Sequence, residues 1–227
     1  MKTDGLIIYS EELGSGEPII LMHGNGEDGS VFEFQRDFLA SFMRVITVDT
    51  RGHGSSPRGD DPFTFDTFAE DLLRLLDSKG IASAHLLGFS DGGNIAMTFA
   101  LKYPERVKSM ILNGANMFPN GMIAKCRLEV EQKYLSTLFD KTKKDEREML
   151  HLMARQPKIS PKKLSKLSIP TLILVGDDDM IDKNHTRMMH NVIKGSKLVT
   201  LTGSHFILRE NHEEYNKAVK EFLDGLA

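Results

Sequence analysis

Between Ser83 and Leu101 an apolar run, a serine between two glycines and a helix-forming run follow one another, and this unit restricts the possible folds severely. Gly88-Phe89-Ser90-Asp91-Gly92 fits G-x-S-x-G. Ser83-Ala84-His85-Leu86-Leu87 before it reads as a buried strand, and Gly93-Asn94-Ile95-Ala96-Met97-Thr98-Phe99-Ala100-Leu101 after it reads as a helix. A strand, a sharp turn and a helix would push the Ser90 hydroxyl out of the backbone at a sheet edge. Gly88 and Gly92 leave room for such a turn, where side chains would collide. Taken alone, the segment also fits a glycine-rich turn with an ordinary serine.

The rest of the chain alternates in the same way. Pro18-Ile19-Ile20-Leu21-Met22, Val45-Ile46-Thr47-Val48, Val107 to Leu112 and Thr171-Leu172-Ile173-Leu174-Val175 are short apolar runs. Amphipathic stretches separate them, such as Thr67 to Ser78, with Phe68, Leu72, Leu75 and Leu76 on one face, and Glu213 to Leu226. Continuous apolar strands separated by helices predict a mostly parallel sheet covered by helices on both faces, an α/β fold. Ligands then belong at the carboxyl ends of the strands, where Ser90 lies. At 227 residues the chain has the length of one well-cored domain, spanning residues 1–227.

One region breaks the alternation. From about Met117 to Lys166 there is no strand signal, and Pro119, Pro157 and Pro161 punctuate helix-like pieces. Lys141, Lys143, Lys144, Lys158, Lys162 and Lys163 make it basic, which reads as a solvated face. Its position after the Ser90 unit predicts a short helical cap over about residues 117–166.

Several functions are disfavoured. The formal net charge of −3 provides no electrostatic case for nucleic acid. The lone Cys126 cannot form an internal disulfide. No apolar run spans a membrane, and Met1 to Gly5 has no apolar signal core, so the expected setting is the cytosol. Gly24-Asn25-Gly26 is not a phosphate loop, and Asp28 and Asp49 show no metal-ligand spacing with the histidines. Neither cofactor nor metal is expected.

Serine needs a base to take its proton and a third group to orient that base. The run Thr171 to Val175 ends in Gly176-Asp177-Asp178-Asp179. Lys197-Leu198-Val199-Thr200-Leu201 is followed by Thr202-Gly203-Ser204-His205-Phe206. An acid and a histidine thus follow two late strands, in the chain order Ser, Asp, His. Of the eight histidines, His205 alone follows a late strand and a glycine turn, with His212 its main rival. His23, His53 and His85 read as loop or core hydrogen-bonding groups, and His151, His185 and His190 as surface residues. Spacing does not choose among Asp177, Asp178, Asp179 and Asp182. For the oxyanion, the N–H of Asp91 supplies one donor, and Asn25 in Leu21-Met22-His23-Gly24-Asn25-Gly26 is the choice for the second.

These motifs together resemble the α/β-hydrolase superfamily, from about Tyr9 onward. His23-Gly24 is similar to its oxyanion loop, and Asp49-Thr50-Arg51-Gly52-His53-Gly54-Ser55 resembles a structural loop of the family. Gly176-Asp177-Asp178-Asp179 resembles the acid loop, whose acid lies three residues after the glycine, which implies Asp179. A closer resemblance is to the biphenyl hydrolase-like and valacyclovir hydrolase group. It rests on Gly88 to Gly93, Tyr103-Pro104-Glu105, Asn113-Gly114-Ala115-Asn116 and Ile193 to Leu198. That likeness implies that Asp91 binds a substrate ammonium group; a structural Asp91 capping the following helix is the alternative. The implied activity is serine-dependent hydrolysis of a small carboxylic ester. A C–C bond hydrolase, a perhydrolase, a short-peptide aminopeptidase or a non-enzymatic ligand receptor would share the same parts.

Overall fold

The computed structural model describes residues 5–226. The leader reading made on Met1 to Gly5 therefore lies almost wholly outside the described residues. The strands are β1 (Ser10–Gly14), β2 (Pro18–Met22), β3 (Arg44–Val48), β4 (Ala84–Phe89), β5 (Val107–Asn113), β6 (Thr171–Gly176) and β7 (Lys197–Leu201). They form one sheet in the order β1-β3-β2-β4-β5-β6-β7. β1 runs antiparallel to β3, and every other pair is parallel.

The helices are α1 (Glu33–Leu39), α2 (Phe65–Ser78), α3 (Asp91–Lys102), α4 (Ala124–Thr137), α5 (Lys144–Arg155), α6 (Pro161–Leu164), α7 (Lys183–Val192), α8 (Ile207–Glu210) and α9 (His212–Asp224). The α2 helix starts two residues before the sequence reading. Thr64 sets that start, its hydroxyl accepting the Thr67 N–H at 3.0 Å. Phe68, Leu72, Leu75 and Leu76 are all buried, as their spacing requires.

The central strands alternate between two cores because successive side chains point to opposite faces. Ile20, Met22 and Leu86 join residues of α2, α3 and α7 in one core. Ile19, Leu21 and Leu87 join residues of α1, α8 and α9 in the other. Each such fully buried leucine is worth about 2 kcal/mol of transfer free energy. Both faces of the sheet are thus covered, which explains the unbroken apolar runs of β2, β4 and β6.

The chain turns from one direction of sheet growth to the other at β2 and β4, which are neighbours although β3 lies between them in sequence. Such a switch point opens a crevice at the carboxyl ends of its strands. The loops after β2 and β4 carry Asn25 and Ser90 to that crevice. The segment between β5 and β6 holds α4, α5 and α6; its β contact is an isolated bridge from Met122 to Ile181. All six lysines read as a solvated face are exposed.

Among the described residues, no helix is long and apolar enough to cross a membrane. No group of three or more His, Cys, Asp or Glu side chains there is placed to hold a metal ion.

Candidate active site

Ser90 joins β4 to α3 with φ 53° and ψ −115°. Among the described residues it is the one non-glycine residue with positive φ. Such a conformation costs about 1–3 kcal/mol and persists only where its surroundings enforce it. The enforcement is visible here. The Ser90 N–H donates to the Asn113 carbonyl at 2.7 Å. The turn also needs close backbone contact: a Cβ on Gly92 would lie 1.9 Å from the Met22 carbonyl oxygen. The sharp turn read from the two glycines is present, and Ser90 is half-buried at its apex.

His205 follows β7, and its Nδ1 lies 2.7 Å from Asp179 Oδ1. The same carboxylate oxygen accepts the Ile181 N–H at 2.9 Å, which orients the Asp179 side chain. A carboxylate acceptor places the proton on Nδ1 and leaves the Nε2 lone pair free. The Phe89 ring packs against His205 with centroids 4.9 Å apart. Gly114 supplies the remaining space. Its φ is +59°, and a Cβ there would come within 2.6 Å of His205 Cε1 and 3.3 Å of Asp179 Oδ2. No hydrogen bond joins Ser90 Oγ to His205 among the described residues; such bonds commonly tighten only when substrate is bound.

The four candidate acids separate clearly. Asp177 and Asp178 are exposed, and Asp177 accepts the Gly203 N–H. Asp182 caps α7, accepting from the Asn184 and His185 N–H groups. Asp179 is the one that meets His205. The rival His212 stacks on Phe34 at 4.0 Å and, among the described residues, is paired to no acid. His23 and His85 make buried hydrogen bonds to Thr50 and Ser109, as read. His185 does not lie on the surface: it is 5% exposed, and its Nε2 accepts the Met117 N–H at 2.9 Å.

Asn25 and Asp91 lie at the carboxyl ends of β2 and β4. Neither N–H makes a backbone hydrogen bond among the described residues. Asp91 is the first residue of α3, where N–H groups lack intrahelical partners and the helix dipole favours negative charge. Its carboxylate does not cap the helix. It accepts from Asn25 Nδ2 at 2.9 Å and Asn94 Nδ2 at 3.3 Å. Asn94 was not among the residues singled out from sequence, although its three-residue spacing from Asp91 on a helix places the two on one face.

Burial pushes the Asp91 carboxyl up to about 6, against the pull of the Asn25 and Asn94 amides. The unfolded chain ionises it near pH ~3.9. Between these values the folded state holds a proton that the unfolded state has lost. Raising the pH across that window therefore costs stability, by up to about 3 kcal/mol. Asp91→Asn has no such titration. Its stability relative to wild type should rise from pH 4 to pH 7 and then level off. Denaturant unfolding across that range tests this, and a pH-independent difference would show that Asp91 is not desolvated.

Two cavities lie away from these residues. One of about 590 Å³ at the other end of the sheet includes Glu17 and His85, and one of about 570 Å³ beside α2 includes Arg155. Neither includes Ser90, Asp179 or His205.

Known proteins share this arrangement of elements. The chain is 26% identical to the human serine hydrolase BPHL over 248 residues, covering 98% of this chain and 85% of that protein. It is 35% identical over 128 residues to RutD of Azorhizobium caulinodans, a protein named for carbamate hydrolysis. That match covers 56% of this chain and 48% of RutD, so it spans about half the relative's length. A thermophilic esterase from Thermogutta terrifontis, solved with malate bound, superposes with a TM-score of 0.81 at 26% identity. The superposition covers 96% of this chain and 93% of the esterase. Residues 17–148, more than half of the chain, match the family described as alpha/beta hydrolase fold. The chain belongs to the α/β-hydrolase fold family.

Proposed function

We propose that the protein is a cofactor-independent serine hydrolase of small carboxylic esters, with Ser90, His205 and Asp179 as its triad. The observation that carries this reading is the strained Ser90 turn at the switch point of the sheet, together with a His205–Asp179 pair bonded at 2.7 Å whose imidazole packs on Phe89, the residue before Ser90. Its hydrolase relatives support the general class of reaction.

The chemistry follows from the parts. Ser90 Oγ attacks the ester carbonyl while His205 Nε2 takes its proton. The carbonyl oxygen becomes an oxyanion, held by the N–H groups of Asn25 and Asp91; each donor is worth about 10²–10³ in rate. His205 then gives the proton to the departing alcohol. Water, activated by the same imidazole, attacks the acyl-enzyme and releases the acid. Asp179 holds the imidazole in one tautomer and stabilises the imidazolium. Nucleophile, base and oxyanion donors all come from the chain, so no step needs a cofactor. The segment at about 117–166 acts as the cap over this crevice.

Asp91 gives the reading its finer specificity. Above about pH 6 it is a buried anion, and its hydrogen-bond partners are two neutral amides. A substrate ammonium group would compensate that charge. At ~5 Å and an effective dielectric of ~20 the attraction is about 3 kcal/mol before desolvation. A net gain of roughly 1 kcal/mol gives about fivefold in kcat/KM.

A panel of p-nitrophenyl esters of increasing length, with an α-amino ester and its deaminated analogue, tests both parts. Short esters should turn over. The amino ester should be preferred about fivefold by wild type and not by Asp91→Asn. An identical ratio in the two proteins would remove amine selection, and no turnover of any ester would remove the esterase reading.

A further inference from the structure

The two residues whose N–H groups form the proposed oxyanion pocket are also joined through their side chains. Asn25 Nδ2 donates to Asp91 Oδ2 at 2.9 Å and to the Met149 carbonyl of α5 at 3.0 Å. Both neighbours are acceptors, so the amide must present Nδ2 rather than Oδ1 to them. The bonding continues on the far side of Asp91. Asn94 Nδ2 reaches Asp91 Oδ1 at 3.3 Å and Asn116 Oδ1 at 3.1 Å. Asn94 Oδ1 accepts the Asn116 N–H at 3.0 Å, and Asn116 Nδ2 donates to the Phe118 carbonyl at 2.9 Å. A continuous polar chain thus runs from α5, through Asp91, to the point where the backbone leaves β5 for the helical segment.

We propose that the Asn25 side chain is a positioning residue that couples seating of the helical cap to the geometry of the oxyanion pocket. The proposal rests on the hydrolase reading given above. Oxyanion donors must lie 2.7–3.1 Å from the developing charge. The Asn25 N–H sits on a loop just before Gly26, whose φ is +75°. The Asn25–Asp91 bond ties that loop to the start of α3, which carries the other donor. The Met149 bond makes the same amide sensitive to where α5 rests. A seated cap satisfies both hydrogens of the Asn25 amide, and a lifted cap leaves one without its protein partner. Asn25 in this role touches no substrate through its side chain, so truncating it keeps the N–H donor and removes only the coupling.

Three variants test this on a p-nitrophenyl ester without an amine. Asn25→Ala should lose at least about tenfold in kcat with KM within about threefold, the pattern of an interaction made in the transition state. Asn25→Asp faces Asp91 with a second carboxylate and should lose at least as much. Adding Asp91→Asn to Asn25→Asp restores the bond with reversed polarity, because the new amide can donate to the new carboxylate while still accepting from Asn94. That double variant should recover at least about fivefold in kcat over Asn25→Asp. It leaves Met149 facing a carboxylate oxygen, so the link to α5 stays broken. Amide hydrogen exchange over residues 144–155 should therefore be at least about fivefold faster than wild type in all three proteins.

The exchange measurement needs no turnover, which separates failure of this proposal from failure of the esterase reading. Unchanged exchange over 144–155 in folded Asn25→Ala would overturn the coupling. No recovery of kcat in the double variant would do so as well.

Discussion

Ser90→Ala and His205→Ala should each lower ester hydrolysis by at least about 10³-fold while the protein stays folded. Ser90 supplies the only oxygen nucleophile assigned to the turn, and His205 Nε2 is the base assigned to it. Neither side chain carries the fold. Ser90 is held by its backbone, through its N–H to Asn113 and the glycine contacts of the turn. Replacing it with alanine retains the Cβ and leaves those contacts in place. His205 packs on Phe89 and bonds Asp179, so its loss opens a small cavity and leaves a buried carboxylate short of a partner. Some loss of stability should accompany His205→Ala, and circular dichroism with thermal unfolding separates that loss from lost chemistry. Turnover near wild type in folded Ser90→Ala would end the nucleophile assignment. Because nucleophile and base act as a unit, the double variant should be little slower than either single one.

Asp179→Asn should lower kcat by at least about 10²-fold. The amide can present its NH₂ to His205 Nδ1 and hold the ring in the wrong tautomer, with the proton on Nε2. It also cannot stabilise the imidazolium. Asp177→Asn and Asp178→Asn change exposed side chains and should stay within about threefold of wild type. An asparagine at 177 can still accept the Gly203 N–H. The comparison is internal: one turn and three neighbouring acids, of which one bonds His205. A larger loss in Asp177→Asn or Asp178→Asn than in Asp179→Asn would overturn the assignment of the acid.

What could be read in the sequence follows the range of the forces concerned. The Ser90 turn was legible because its requirements are local: small residues at 88 and 92, an apolar strand before them and a helix after them. The central strands were legible because burial on both faces leaves no polar side chain in most of their positions. β1 was not, since Ser10-Glu11-Glu12-Leu13-Gly14 is polar and mostly exposed, and it is held by backbone pairing to β3. A ladder of that kind leaves no apolar pattern to detect.

The same distinction applies in the site. Spacing alone does not choose among the four acids that follow β6, and the resemblance to the family, rather than the residues themselves, points to Asp179. The contact that distinguishes it joins residues on two different strand-end loops. His185 sits in a helix that reads as polar, and its burial depends on the Met117 N–H from a distant part of the chain. Asn94 and Asn116 are ordinary polar residues in sequence. Their importance comes from Asp91, which is buried and whose hydrogen bonds come from their amide network and Asn25. Gly114 belonged to a resemblance motif, yet its purpose, to make room for the His205 ring, depends on two other strands.

The most direct test of the central claim is covalent labelling of the folded protein by a fluorophosphonate probe, followed by peptide mass mapping. An activated serine displaces fluoride and forms a stable phosphonate ester, so the reaction reports nucleophilicity without assuming a particular ester substrate. The account predicts one label per chain, on Ser90, absent from Ser90→Ala and formed much more slowly in His205→Ala. A folded wild-type protein that takes up no label, or a Ser90→Ala protein labelled as fast as wild type, would contradict it.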